Sequence, residues 1–148
     1  MMRIDLRRAT ALLAGLWAGV ILCIAAIGAP ASFAIAPRDI AGQVAGQMFA
    51  REAYLSLGVA LILLMAIRRR TRDHVGEGKG SVMSANMLLV LGALFCTVLG
   101  YFALQPMMAA AKVGQGALSF GALHGISAVF FVLKGLLILA LSWRLSAA

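Results

Sequence analysis

The chain has 148 residues, 63% of them apolar and 12% charged, with a net charge of +8. That balance leaves too little polar surface to cover a water-soluble globule of this size. It also argues against nucleic acid as a partner, because the basic residues crowd the ends of long apolar stretches, where they act as topology determinants.

The first stretch, residues 9–29, carries no charge. A bilayer core needs roughly 20 apolar residues of helix, so this segment is long enough to cross. Arg3, Arg7 and Arg8 ahead of it, with Ala29, Ala31 and Ala34 behind, also give it the outline of a signal peptide. A signal core is usually about 7 to 15 residues, so a retained span is the expectation. Gly15 and Gly19 mark a face on which another backbone can approach closely, and the same spacing returns at Gly42 and Gly46 and at Gly121 and Gly125. Cys23 and Cys96 both fall in predicted spans and have no metal-ligand spacing.

Pro30 is expected to end the first helix, APASFAIAP to leave regular helix, and Pro37 to open a new one. Residues 40–67 keep a helical pattern interrupted by Arg51 and Glu52. The second span is therefore expected near 46–68, led in by a short amphipathic outer segment whose Gln43, Gln47 and Arg51 share a face. The connector RRRTRDHVGEGKG is Gly-rich and basic, a solvated topology anchor or a contact for anionic lipid headgroups, with His74 exposed beside Asp73. Further spans are expected near 82–105 and 118–144. Nine of the thirteen basic residues lie before the first span, between the second and third, or after the fourth. Both termini should then be cytoplasmic, and the turns near 30–47 and 105–119 outside. The expected architecture is all-α: an integral membrane four-helix bundle forming a single transmembrane domain over residues 1–148.

Rise per residue orders the polar side chains by depth. With the outer boundary near Met48, Leu104 and Phe120, the side chains of Glu52, Tyr101 and His124 fall at one level and form a candidate polar cluster. Lys134 lies near mid-membrane, where a lysine costs a few kcal/mol unless it faces the bundle, water or a partner, or snorkels to the headgroups. Lys134, Ser127, Thr97 and Trp17 form a candidate intramembrane polar path, with Gly58 and Gly92 leaving room for the lysine stem. Thr97, Tyr101 and Gln105 make a stripe on the third span suited to interhelical hydrogen bonding. His124 with Met107 or Met108 (or Met48) is a candidate metal set, since imidazole and thioether suit copper. Adjacent methionines point in different directions, however, and more often serve as flexible packing. No nucleotide-binding loop, no Ser-His-Asp arrangement and no paired intramembrane carboxylates are visible in the sequence, so no catalytic residues are assigned.

At APASF, residues 29–33, then Ala41 and Gly42, Phe49, Tyr54, FGALHGIS at 120–127 and the closing SWRL, the chain resembles a bacterial family of four-helix membrane proteins. That family is known as domain of unknown function 4149 and is similar to the eukaryotic transmembrane protein 205 group. The resemblance runs from about residue 12 to 145, and it implies the architecture and no reaction. A more distant likeness, to four-helix copper-resistance proteins and haem-biosynthetic membrane oxidases, rests on the small-residue first span and the His opening the last. The lack of a His in the first span counts against haem ligation.

Three function classes fit these residues. The foremost is a non-enzymatic protein of the bacterial inner membrane that binds or moves a small solute or supports a membrane complex. The others are copper or haem handling and a membrane-embedded enzyme. No cofactor is expected under the first. The expected partners are the lipid bilayer and either a second copy of the chain or another membrane protein.

Overall fold

The computed structural model describes residues 6–76 and 83–147, with side chains omitted for 73–76. All regular structure among these residues is helical, in the order α1 (Leu6–Cys23), a π-helical turn (Ile24–Gly28), α2 (Ala29–Ile35), α3 (Arg38–Gly76), α4 (Ala85–Thr97), a second π-helical turn (Val98–Ala103), α5 (Leu104–Lys112) and α6 (Phe120–Ala147). They combine into four helices long and apolar enough to cross a membrane: Leu6–Ile35, Arg38–Arg72, Ala85–Lys112 and Phe120–Ala147. Much of the basic connector, including Asp73, His74 and Lys79, lies outside the described side chains.

Pro30 does not end the first helix. It sits in the first turn of α2, immediately after the π-helical turn, and the helix continues to Ile35. A proline inside an α-helix removes one hydrogen bond and drives its ring against the carbonyl four residues earlier. A wider turn just before it displaces that carbonyl and lets the axis continue. Pro106 in α5 follows the second π-helical turn in the same way, which carries the third helix past its expected end near 105. The Ser32 hydroxyl donates to the Gly28 carbonyl at 2.8 Å, satisfying an acceptor beside the first π-helical turn.

The real breaks have ordinary causes. Ala36 is extended (φ −117°, ψ 153°), as the residue before a proline prefers, and this ends α2. The Pro37 carbonyl then accepts the first hydrogen bond of α3, from Ala41 N at 2.8 Å. The lead-in is not a separate segment, because α3 runs without interruption from Arg38 to Gly76. Ser84 caps α4 by accepting from Met87 N at 3.3 Å. After α5 the chain turns through Gly114 and Gly116, both at positive φ (75° and 111°), where glycine alone is unstrained. The Gln115 N–H meanwhile closes the helix end on the Ala110 carbonyl at 2.9 Å.

Neighbouring packing runs first helix to second, second to third, third to fourth and fourth to first, so the second and fourth are diagonal partners. Small side chains such as Ala14, Ala18, Ala60 and Ala93 let the helices approach, and Trp17, Leu63, Ile138 and Leu141 fill the space between. The glycine pairs do less than their spacing suggested. Gly19, Gly42, Gly46, Gly121 and Gly125 have open space where a Cβ would project. The close approach is at Gly100, where a Cβ would lie 2.5 Å from Phe130 Cβ. Only 17% of the most apolar window of the fourth helix is buried, so most of its Val, Leu and Ile side chains face outward. Outward-facing apolar helices of this length mark a lipid environment.

Candidate functional site

The bundle interior holds a connected set of polar side chains from three helices. Lys134 on α6 and Glu52 on α3 are each only 3% exposed. The Lys134 ammonium donates to Glu52 Oε2 at 2.6 Å. The other carboxylate oxygen, Oε1, accepts from the Ser56 hydroxyl at 2.5 Å, and Ser56 Oγ in turn accepts from the Trp17 indole N–H at 2.9 Å. Ser56 and Trp17 are fully or almost fully buried. Lys134 Nζ also stands over the Phe131 ring, 4.9 Å from its centroid, a cation–π arrangement.

Local structure explains each position. Glu52 and Ser56 are one helical turn apart on the inner face of α3, so the hydroxyl meets the carboxylate without bending the backbone. Lys134 projects toward its own helix N-terminus, as helical side chains do, and reaches across the bundle diagonal. The diagonal register is set twice, by Phe49 against Phe131 (centroids 5.0 Å apart) and by Glu52 with Lys134, both pairs 82 positions apart. Every buried side-chain nitrogen and oxygen among the described residues has a hydrogen-bond partner. Burial in hydrocarbon makes that closure important, since an unpaired ion there costs several kcal/mol.

This grouping differs from the expected one. The carboxylate of Glu52 is bonded by Lys134 and Ser56, not by Tyr101 and His124. With the 82-residue register, His124 stands level with Gly42, ten residues or about 15 Å along the axis from Glu52. Matching Phe120 with Met48 misaligns the two helices, because the 82-residue register puts Phe120 level with Arg38. His124 is exposed and stacks on Phe120 with centroids 5.7 Å apart. Tyr101 belongs to an aromatic ladder, its ring 5.1 Å from Phe102, which in turn lies 5.3 Å from Tyr54.

The expected path residues are also dispersed. Thr97 is buried, but its hydroxyl donates to the Ala93 carbonyl of its own helix at 2.9 Å. Ser127 donates to the Gly100 carbonyl at 2.6 Å, inside the second π-helical turn, where the widened spacing frees an acceptor. Trp17 joins Lys134 only through Ser56 and Glu52. Gly92 packs on Leu137, and Gly58 faces open space. Met108 is buried while Met107 and His124 are exposed, and no group of three His, Cys, Asp or Glu residues able to hold a metal occurs among the described residues. Ser56 went unrecognised in the sequence, although its spacing of four from Glu52 was the available signal.

Residues 12–117 match the family model described as Domain of unknown function (DUF4149). The chain belongs to this family. The match covers the first helix from Leu12 onward and all of the third, with the second between them, so Trp17, Glu52 and Ser56 lie inside it, while α6 with Lys134 lies beyond its end. No curated protein and no solved structure matches the chain.

Proposed function

We propose that the protein is a non-enzymatic, multi-pass protein of the bacterial inner membrane that binds or moves a small charged solute at the Glu52–Lys134 pair. The excess of Arg and Lys before the first helix, between the second and third, and after the fourth supports cytoplasmic termini. One observation carries the solute assignment: an almost fully buried carboxylate–ammonium pair joins two helices that lie diagonally across the bundle. A purely apolar interior would hold such a bundle equally well, because a buried ion pair is weak evidence for stability. An ion or proton that binds one partner releases the other, and the second and fourth helices lose their direct polar tie. The network therefore couples occupancy of the pair to helix position.

Trp17 supplies the test, because its indole is wired to Glu52 through Ser56. The chain has two tryptophans, so a Trp143→Phe variant reports on Trp17 alone. In nanodiscs, its emission should change saturably with one class among added monovalent cations, small carboxylates or protons. That response should vanish in Lys134→Met. Emission that stays constant across all three classes removes the solute assignment.

A supporting role in a membrane complex is the second reading, and a specific feature favours it. Tyr54 is 66% exposed and joins Phe102 and Tyr101 in an aromatic ladder on the bundle surface. Tyrosines at apolar interfaces supply both ring area and a hydroxyl that seeks a partner. Copurification of a stoichiometric partner, lost in Tyr54→Ala, would favour that role.

A further inference from the structure

We infer that one face at the end of the second helix is a binding site for an anionic phospholipid. Leu61, Ile62 and Met65 are exposed along α3, and Met65 is followed one turn later by Arg68 and Arg69 and then by Arg72. Offsets of three, four and seven from Met65 put these guanidinium groups on the same side of the helix. Met65, Arg68, Arg69 and Arg72 line a hollow of about 480 Å³. Among the described side chains no carboxylate pairs with these three arginines.

The two halves of this face have complementary chemistry. Arginines fork onto phosphate oxygens and are the weakly hydrated cations suited to that contact at a membrane boundary. The apolar stripe leading to them runs along the helix axis, where an acyl chain lies beside a transmembrane segment. A free phosphate would use only the arginines, whereas a phospholipid uses both halves. Arg70 offers an internal control, because it sits in the same basic run but does not line the hollow. General attraction of a basic segment to anionic lipid would treat Arg69 and Arg70 alike, since it depends on charge and distance from the surface.

Native mass spectrometry of the full chain in detergent, titrated with phosphatidylglycerol, phosphatidylcholine of equal chain length, or inorganic phosphate, tests the site. Wild type should retain phosphatidylglycerol at least tenfold more tightly than phosphatidylcholine. Arg69→Gln should lower that preference about fivefold, the share of one surface charge, and Arg70→Gln should change it by less than about twofold. The triple variant Arg68→Gln, Arg69→Gln, Arg72→Gln should bind both lipids equally, a loss on the order of a hundredfold if each arginine contributes as a surface charge does. Size-exclusion profiles identical to wild type confirm that the variants remain folded. Equal losses in Arg69→Gln and Arg70→Gln would overturn the site in favour of bulk charge. Competition by inorganic phosphate at the lipid's own concentration would overturn the lipid assignment.

Discussion

Replacing the Glu52–Lys134 pair one partner at a time, and then together, separates a device that costs stability from one that supplies it. In Glu52→Leu the Lys134 ammonium keeps only the face of Phe131, 4.9 Å from the ring centroid, while Ser56 loses the acceptor of its hydroxyl. Removing one member of a buried pair typically costs about 3 to 5 kcal/mol. Lys134→Met leaves Glu52 with the Ser56 hydroxyl alone, and its cost should fall in the same range. In the double variant Glu52→Leu/Lys134→Met no buried charge remains, and Leu and Met approximately conserve the volume. Its stability should match wild type or exceed it by about 1 to 4 kcal/mol. The assay is reversible unfolding in mixed detergent micelles, followed by Trp emission, with the coupling taken from the four-variant cycle. A double variant as unstable as the two single losses added together would refute the reasoning, because the pair would then have no compensating interaction.

Gly100→Ala should destabilise the bundle by about 1 to 3 kcal/mol, since its new methyl would meet Phe130 Cβ at 2.5 Å, whereas Gly19→Ala projects into open space and should be neutral in the same unfolding assay. Ser56→Ala leaves the buried Trp17 indole without its acceptor, and a loss of roughly 1 to 2 kcal/mol is expected together with an altered Trp17 emission maximum in the Trp143→Phe background. Pro30→Ala should leave helix content unchanged by circular dichroism, because the π-helical turn and α2 already form one continuous helix; a gain of helix would show that Pro30 interrupts it. Reporter fusions in the connector between the second and third helices should read as cytoplasmic, and periplasmic activity there would reverse the topology.

Hydropathy and charge made the four helices legible, since an apolar run as long as residues 82–104 without one charged side chain matches the length of a membrane crossing. They did not reveal where the helices end. Pro30 reads as a stop and the third span as ending near 105, yet the helix continues past Pro30 and past Pro106, each preceded by a π-helical turn that leaves no simple mark in the sequence. The depth of Lys134 singled it out, and its burial follows from the cost of leaving an ammonium in hydrocarbon. Its partner was hidden because hydropathy carries no information on how far one helix slides along another. That register depends on a few contacts, Phe49 on Phe131 and the Gly100 approach to Phe130 among them. A shift of two or three turns was enough to exchange Lys134 for His124 as the residue facing Glu52.

The state of the Glu52 carboxylate is the most direct measure of whether the pair exchanges its partners. The chain has only two glutamates, Glu52 and Glu77, so a Glu77→Gln variant grown with carboxyl-labelled glutamate isolates Glu52 in an infrared difference spectrum. In lipid membranes, adding the solute class that alters Trp17 emission should shift the labelled carboxylate stretch saturably, with the same midpoint as the emission change. The shift should be absent in Lys134→Met. A labelled band that stays fixed in wild type through every solute and pH that leaves the protein folded would contradict exchange at the pair.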